Sequence, residues 1–380
     1  MVAATLQLSR TNRSVLAEWW RSVDHILLGF LICLIGAGLI LSMAASPAAS
    51  ARLGYDNPFF FLYRHAFFAV LGITGALTLS LFRPQDARRI GVLALLGSFA
   101  LFILVEFMGH EVKGATRWLR IGGFGLQPAE FAKPAFITFA AWMFASQKRD
   151  PGVPGTTIVF GVYLLMVFFL IRQPDFGQSF LLTLCFAAVF FFAGLSLGWL
   201  LFMMGLSLIG SLGAYFSLPH VRDRLDRFLN PEGSDTYQTD KALEAIGQGH
   251  FFGRGPGEGS VKYSLPDGHT DFIFAVTVEE FGFLISAFLI ALLAGFVMRA
   301  YRLATKLTDF SMQLAVAGIA TMIGMQTIIN LFVNLNMAPA KGMTLPFISY
   351  GGSSMLALCF AAGLILAFTR RHPGAYGYGE

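Results

Sequence analysis

An aspartate stands where a long polar stretch gives way to an apolar run, in Leu265-Pro-Asp-Gly-His-Thr-Asp-Phe-Ile-Phe274. A carboxylate at such a boundary loses part of its hydration, which disfavours the charged form and strengthens Asp271 as a base. The same position also suits a helix cap. His269, Thr270 and Asp271 immediately precede the run Phe272 to Val276, where capping residues belong. The two readings assign different work to one side chain, general base or helix start.

Further ionisable groups recur near apolar runs. Glu130 and Lys133, in Gln127-Pro-Ala-Glu-Phe-Ala-Lys133, are three residues apart and share a helix face, with Pro128 suited to the first turn. Ionisable side chains within a membrane are costly and line cavities more often than they face lipid, so the pair is expected to serve a polar site. A second segment, Arg172-Gln-Pro-Asp175, reads as a tight turn. Arg64 and the pair Glu279-Glu280 lie at helical positions in apolar runs, and the glutamates need partners for which Lys133 or Arg64 are candidates.

Two glycine-rich stretches differ in kind. Gly253-Arg-Gly-Pro-Gly-Glu-Gly259 resembles a nucleotide loop superficially but follows no strand and opens no helix, and it reads better as a flexible loop beside a substrate. Thr344-Leu-Pro-Phe-Ile-Ser-Tyr-Gly-Gly-Ser-Ser354 breaks an apolar run. It is expected to be a broken helix whose exposed amides could hold phosphate oxygens, with a Gly-Ser packing kink as the simpler alternative.

The elements that must position these groups are membrane helices. Of 380 residues, 56% are hydrophobic, 13% charged and 40 are Phe, and the mean hydropathy is +0.65. That balance excludes a soluble domain and predicts an all-α polytopic membrane protein. Taking about 20 apolar residues per crossing gives ten candidate spans, at 26–45, 59–82, 90–108, 128–146, 157–171, 177–194, 197–217, 272–298, 309–333 and 345–369. They leave an N-terminal tail over 1–25, a membrane domain over 26–369, a long loop over 218–271 and a C-terminal tail over 370–380. Cys33, Cys185 and Cys359 fall inside apolar runs with neither disulfide nor metal spacing.

One set of short connections and tails holds thirteen Lys and Arg residues and the other six. The richer set is therefore cytoplasmic, with both termini inside and the 218–271 loop outside. The net charge of +5 then reflects topology rather than nucleic-acid binding. The 109–127 connection keeps Lys113, Arg117 and Arg120 outside against the trend, as binding an anionic ligand would require. Every motif above falls on the outer face, while the cytoplasmic connections hold little beyond positive charge.

Taken together, Thr344 to Ser354, His269-Thr-Asp-Phe-Ile-Phe-Ala275, Gln127-Pro-Ala-Glu130 and Gln173-Pro-Asp175 closely resemble the SEDS family, the bacterial shape, elongation, division and sporulation proteins. The resemblance covers nearly the whole chain from the first span. The form Thr-Leu-Pro-Phe-Ile-Ser-Tyr-Gly-Gly-Ser-Ser is more similar to the division branch than to the elongation branch. Three positions depart from the division pattern: Asp267-Gly268, Asp240-Lys241 and Leu335-Asn336.

The resemblance implies a ten-span peptidoglycan glycosyltransferase of the bacterial inner membrane that polymerises lipid II at the septum. Its implied partners are a class B penicillin-binding transpeptidase and other divisome membrane proteins. By the same resemblance Asp271 is the essential acid, supported by Arg64, Arg117, Glu130, Lys133 and Asp175. His269 and the last-span residues Ser349, Tyr350, Gly351, Gly352 and Ser353 complete the candidate substrate-binding set. The chemistry suits one base, because pyrophosphate leaves well once its charge is compensated, whereas glycosidases need a second carboxyl to protonate an alkoxide. A divalent cation such as Mg2+ or Mn2+ is compatible with this chemistry, although the sequence shows no closed ligand set. Two rival functions remain: a lipid II flippase, which should place polar groups along both halves of its path, and a non-catalytic scaffold for the transpeptidase, for which Asp271 would be dispensable.

Overall fold

The computed structural model describes residues 15–112, 115–194, 236–339 and 342–370, with isolated positions between 195 and 235. The expected span over 197–217, the first part of the long loop, Lys113, Lys341 and most of both tails lie outside the described residues.

The chain is a bundle of antiparallel apolar helices. They are α1 (Val15–Ser22), α2 (His25–Leu53), α3 (Phe60–Leu81), α4 (Pro84–Met108), α5 (Pro128–Arg149), α6 (Gly155–Arg172) and α7 (Phe176–Phe192). After the long loop come α8 (Tyr237–Gly249), α9 (Ile273–Ala304), α10 (Phe310–Asn334) and α11 (Gly352–Phe368). Among the described residues six of these, α2, α3, α4, α6, α9 and α10, are long and apolar enough to cross a membrane. Two shorter apolar helices, α7 and α11, accompany them, and α5 matches a further expected span with a mixed composition caused by Glu130 and Lys133. Nine of the ten expected spans thus coincide with described helices.

Local chemistry sets the helix ends. Asp24 caps α2 by accepting from the Leu27 amide at 2.9 Å, and Asp309 caps α10 through the Met312 amide at 3.0 Å. Gly54 closes α2 in the left-handed conformation, with φ of 75°. The N-terminal tail contains α1, whose Trp19 indole donates to the Ser80 hydroxyl at 2.8 Å. At this same end Arg299 forms a two-pronged pair with Asp24, at 3.0 and 2.5 Å.

At the opposite end the structure departs from a purely helical expectation. The connection between α4 and α5 folds into an antiparallel sheet of β1 (His110–Val112), β2 (Ala115–Ile121) and β3 (Phe124–Leu126). Gly122 and Gly123, both at positive φ, make the two-residue turn that pairs Ile121 with Phe124. Phe124 stacks on Phe67 of α3, with centroids 5.7 Å apart, which pins the sheet to the bundle.

The long loop is ordered where it is described. α9 kinks at Gly282, where φ is 80° and ψ is 176°, so backbone groups on either side of the kink lose their helical partners. The glycine-rich segment supplies them. Arg254 and Gly255 amides donate to Glu279 and Glu280 carbonyls at 2.9 and 3.0 Å, while Phe283 and Leu284 amides donate to His250 and Phe251 carbonyls. A Cβ at Gly253 would stand 2.2 Å from the Glu280 carbonyl oxygen, so glycine is required by close backbone approach. The expectation of a flexible substrate-side loop is thereby corrected: Gly253 to Gly259 is a packed patch over a helix kink.

The partners of Glu279 and Glu280 also differ from expectation. Neither Lys133 nor Arg64 reaches them. Lys262, buried in a 3-10 turn (Val261–Tyr263), pairs with Glu280. The Glu279 carboxylate accepts from the Val261 and Lys262 amides at 2.7 and 3.0 Å.

Candidate active site

Asp271 lies in the turns that precede α9, half-buried. The helix starts after Phe272, whose side chain makes no cap, and Asp271 stands one residue earlier. Its backbone is held firmly. The Asp271 carbonyl accepts from the Asn330 amide group at 2.8 Å and from that of Asn334 at 3.0 Å. Asn330 also donates to the Met343 carbonyl at 2.7 Å. Gly342 passes beside the carboxylate, since a Cβ built there would lie 3.5 Å from Oδ2. Two amides on one face of α10 thus tie the aspartate to the segment leading into α11.

That segment is not a broken helix. Residues 344–351 run through turns, and α11 begins at Gly352, where a Cβ would come within 2.5 Å of the Phe68 ring. The requirement at Gly352 is close packing against α3. Gly351 is extended, and its carbonyl accepts from the Met355 amide at 2.8 Å as the first turn closes. The hydroxyls here hold backbone in place: Ser349 accepts from the Leu345 amide at 2.7 Å, Ser354 meets Thr344 at 2.7 Å, and Ser353 accepts from the Gln127 amide at 3.0 Å.

Gln127 carries the connection onward to a second centre. Its side-chain amide donates to Asp175 Oδ2 at 2.8 Å, and Arg117 of β2 sits 3.3 Å from Oδ1. Asp175 occupies the turn between α6 and α7, outside both helices. Burial raises its carboxyl above the ordinary range, and the Arg117 guanidinium opposes that rise. Behind it Lys133 donates to Glu130 at 3.0 Å and to the Gln178 carbonyl oxygen at 2.6 Å, while the Gln178 amide donates to Glu130 at 2.7 Å. Glu130, Lys133 and Asp175 are all buried. The expected ion pair is present, and it forms part of a closed set of charges and amides.

The third group is aromatic. His269 stacks on Tyr350 at 5.6 Å and tilts against Phe61 at 4.4 Å, while the Tyr350 amide donates to the His269 carbonyl at 3.0 Å. One helical turn along α3 from Phe61, Arg64 donates to the Gly123 carbonyl at 3.0 Å and lies between the Phe60 and Phe124 rings. Among the described residues its buried Nε has no partner.

The predicted residues therefore gather at one end of the bundle, where Asn330 joins Asp271 to Met343 and Ser353 joins the same 342–354 segment to Gln127 and, through it, Asp175. Sequence reasoning missed Gln178, Asn330 and Asn334. The last two were visible as amides four apart in an apolar run, which places them on one face. Among the described residues no group of three or more His, Cys, Asp or Glu side chains is placed to hold a metal.

The chain matches the family FtsW/RodA/SpoVE, described as "Cell cycle protein", over residues 24–373. It is 47% identical over 374 residues to the "Probable peptidoglycan glycosyltransferase FtsW" of Caulobacter vibrioides, covering 98% of this chain and 96% of that one. The protein of the same description from Trichlorobacter lovleyi is 35% identical, with 90% and 92% covered. Among solved structures, a chain of the work reported as "Structural coordination of polymerization and crosslinking by a peptidoglycan synthase complex" superposes with a TM-score of 0.73 at 27% identity, covering 92% and 98%. The rod shape determining protein RodA of Thermus thermophilus does so at 0.66 and 27%, covering 92% and 97%. Full-length similarity in sequence and fold, together with the motifs assembled at one end of the bundle, places this multi-pass membrane chain in the SEDS family of FtsW, RodA and SpoVE cell cycle proteins.

Proposed function

We propose that this chain is a peptidoglycan glycosyltransferase that polymerises lipid II at the division septum, with Asp271 as its general base. The observation that carries the assignment is the placement of Asp271: it is half-buried at the end of the bundle where the candidate residues gather, and its carbonyl is clamped by Asn330 and Asn334. A base must be fixed in position yet available to the proton it removes.

In the reaction, the acceptor sugar 4-hydroxyl attacks the donor anomeric carbon. Asp271 takes the hydroxyl proton, a new glycosidic C–O bond forms, and the C–O bond to the lipid pyrophosphate breaks with inversion. The leaving group carries the bonding pair and needs positive charge nearby. Arg64 and Arg117 supply it in this reading, Arg64 because its Nε has no partner among the described residues and Arg117 because its guanidinium remains partly exposed beside Asp175. Lys133 balances Glu130 and fixes the α5–α7 face on which Asp175 and Gln127 rest.

The working end faces the extracytoplasmic side, as the Lys and Arg bias requires. A cysteine at Glu244 should react with an impermeant thiol reagent from outside, and one at Asp150 should not; the reverse pattern would overturn the orientation. The partner in this reading is a class B penicillin-binding transpeptidase, in keeping with the peptidoglycan synthase complex whose chain shares this fold, along with other divisome membrane proteins.

The decisive test is polymerisation of labelled lipid II by the purified protein with its transpeptidase. Asp271→Asn, nearly isosteric, should lower the rate about 100-fold or more while leaving membrane insertion and partner binding intact. Near-normal polymer from that variant would refute the base.

A further inference from the structure

Resting on the polymerase reading, we infer that His65 is a positioning residue for the reaction, one that holds the Tyr350 hydroxyl and, through the Tyr350 ring, the approach to Asp271. His65 lies in the second turn of α3 and is 1% exposed. An ionisable side chain at that depth in an apolar helix is costly and is retained where it serves a site. Ser42 of α2, also buried, meets His65 Nδ1 at 2.5 Å and fixes the ring. The other nitrogen, Nε2, is buried and has no partner among the described residues. Ser42 therefore accounts for one half of the imidazole only. A leucine or phenylalanine would fill the same space and leave no polar atom to satisfy, so packing does not explain a histidine here.

The neighbouring ring is Tyr350. His65 follows Phe61 by one helical turn, and both side chains meet that ring near edge-to-face, with centres 6.3 and 5.2 Å away. His269 stacks on it as well. Three rings thus enclose Tyr350, whose amide donates to the His269 carbonyl two residues before Asp271. The Tyr350 hydroxyl, like His65 Nε2, takes no hydrogen bond among the described residues.

These two atoms suit one another. Ring centres 6.3 Å apart admit a bond of about 2.8 Å between a phenol oxygen and an imidazole nitrogen. Turning the two ring edges together satisfies both atoms with side-chain rotation alone. Either imidazole tautomer serves, since the Ser42 and Tyr350 hydroxyls can each donate or accept. The result is a buried chain from Ser42 through His65 to Tyr350, which sets the tyrosine ring and with it His269 beside the base.

The competing account is a histidine kept only for its bond to Ser42. Asparagine and glutamine separate the two, because an asparagine amide reaches the position of Nδ1 and a glutamine amide that of Nε2. Polymerisation of lipid II by the full chain with its transpeptidase would be measured for His65→Asn, His65→Gln, Tyr350→Phe and the double variant His65→Asn with Tyr350→Phe. Loss of one neutral hydrogen bond should lower kcat about tenfold in His65→Asn, with KM little changed. His65→Gln should recover most of kcat, and the double variant should fall no further than the worse single variant. Wild-type kcat in His65→Asn beside a loss in His65→Gln would overturn the assignment, as would losses that multiply. Should His65→Asn fold poorly, Ser42→Ala frees the ring without removing it: a lower kcat at unchanged Tm is expected, and an unchanged kcat would overturn the chain. Wild-type protein that makes no polymer refutes the polymerase reading itself, whereas His65 is judged by differences among variants of an active preparation.

Discussion

Two buried charge networks sit at the same end of this bundle, and the partners they use separate them. Around Glu279, Glu280 and Lys262 most hydrogen bonds run to backbone: the Val261, Lys262 and Gly257 amides donate to the carboxylates, and the amine reaches the Ala44 and Gly257 carbonyls. Around Glu130, Lys133 and Asp175 the partners are chiefly side chains, Gln178, Gln127 and Arg117, and the chain of contacts ends at a partly exposed guanidinium. The first network fastens a loop to a kinked helix. The second joins side chains from α5, α7 and β2 to one another, with the Gln178 amide as a backbone donor to Asp175. Burial of charge therefore does not by itself mark a working site, and the kind of partner is the more telling feature.

The largest effect is expected at the brace. Lys262→Met leaves Glu280 fully buried with one backbone donor, and removing one member of such a pair costs about 3 to 5 kcal/mol. Folded yield and Tm in detergent should fall sharply, and adding Glu280→Gln should restore stability and polymerisation together. Recovery of folding without activity would place this network in the site and erase the distinction. A smaller loss of stability is expected from Lys133→Met, because Glu130 keeps its hydrogen bond from Gln178. Its polymer yield from lipid II supplied in detergent should nevertheless fall strongly. Adding Glu130→Gln should recover folding but not full activity. Wild-type yield from Lys133→Met would remove the pair from the working centre and would suit a flippase, for which no crossing is needed in detergent.

Much of this arrangement was legible in the sequence because membrane helices write themselves as long apolar runs. Glu130 and Lys133 were readable as a pair because helical spacing fixes which residues share a face. Partners distant in sequence were not. Lys262 sits in a polar loop and looks exposed, yet the kink at Gly282 pulls that loop into the bundle, and a kink within an apolar run leaves only one glycine among many as its trace. The sheet over 110–126 did carry a signal, Gly122-Gly123 between Ile121 and Phe124, which is a two-residue hairpin pattern. Counting cations in that connection drew attention to ligand binding and away from strand alternation. In the 344–354 motif the glycine pair serves close packing on Phe68 and a helix start, the packing alternative that the sequence offered, and the neighbouring helix is what reveals it.

The kink in α9 also divides the helix by what its two parts touch. Its 32 residues would span about 48 Å as a straight helix, far more than a hydrocarbon core of about 30 Å. From Ile273 to Glu280 every side chain is buried, whereas just past Gly282 the residues Phe283, Leu284, Ile285 and Phe288 are 57, 51, 51 and 63% exposed. Lipid contact begins at the kink. The stretch from Phe283 to Met298, before Arg299 and Arg302, measures about 24 Å, less than one hydrocarbon thickness of about 30 Å, so the buried first turns of α9 complete the crossing inside the protein.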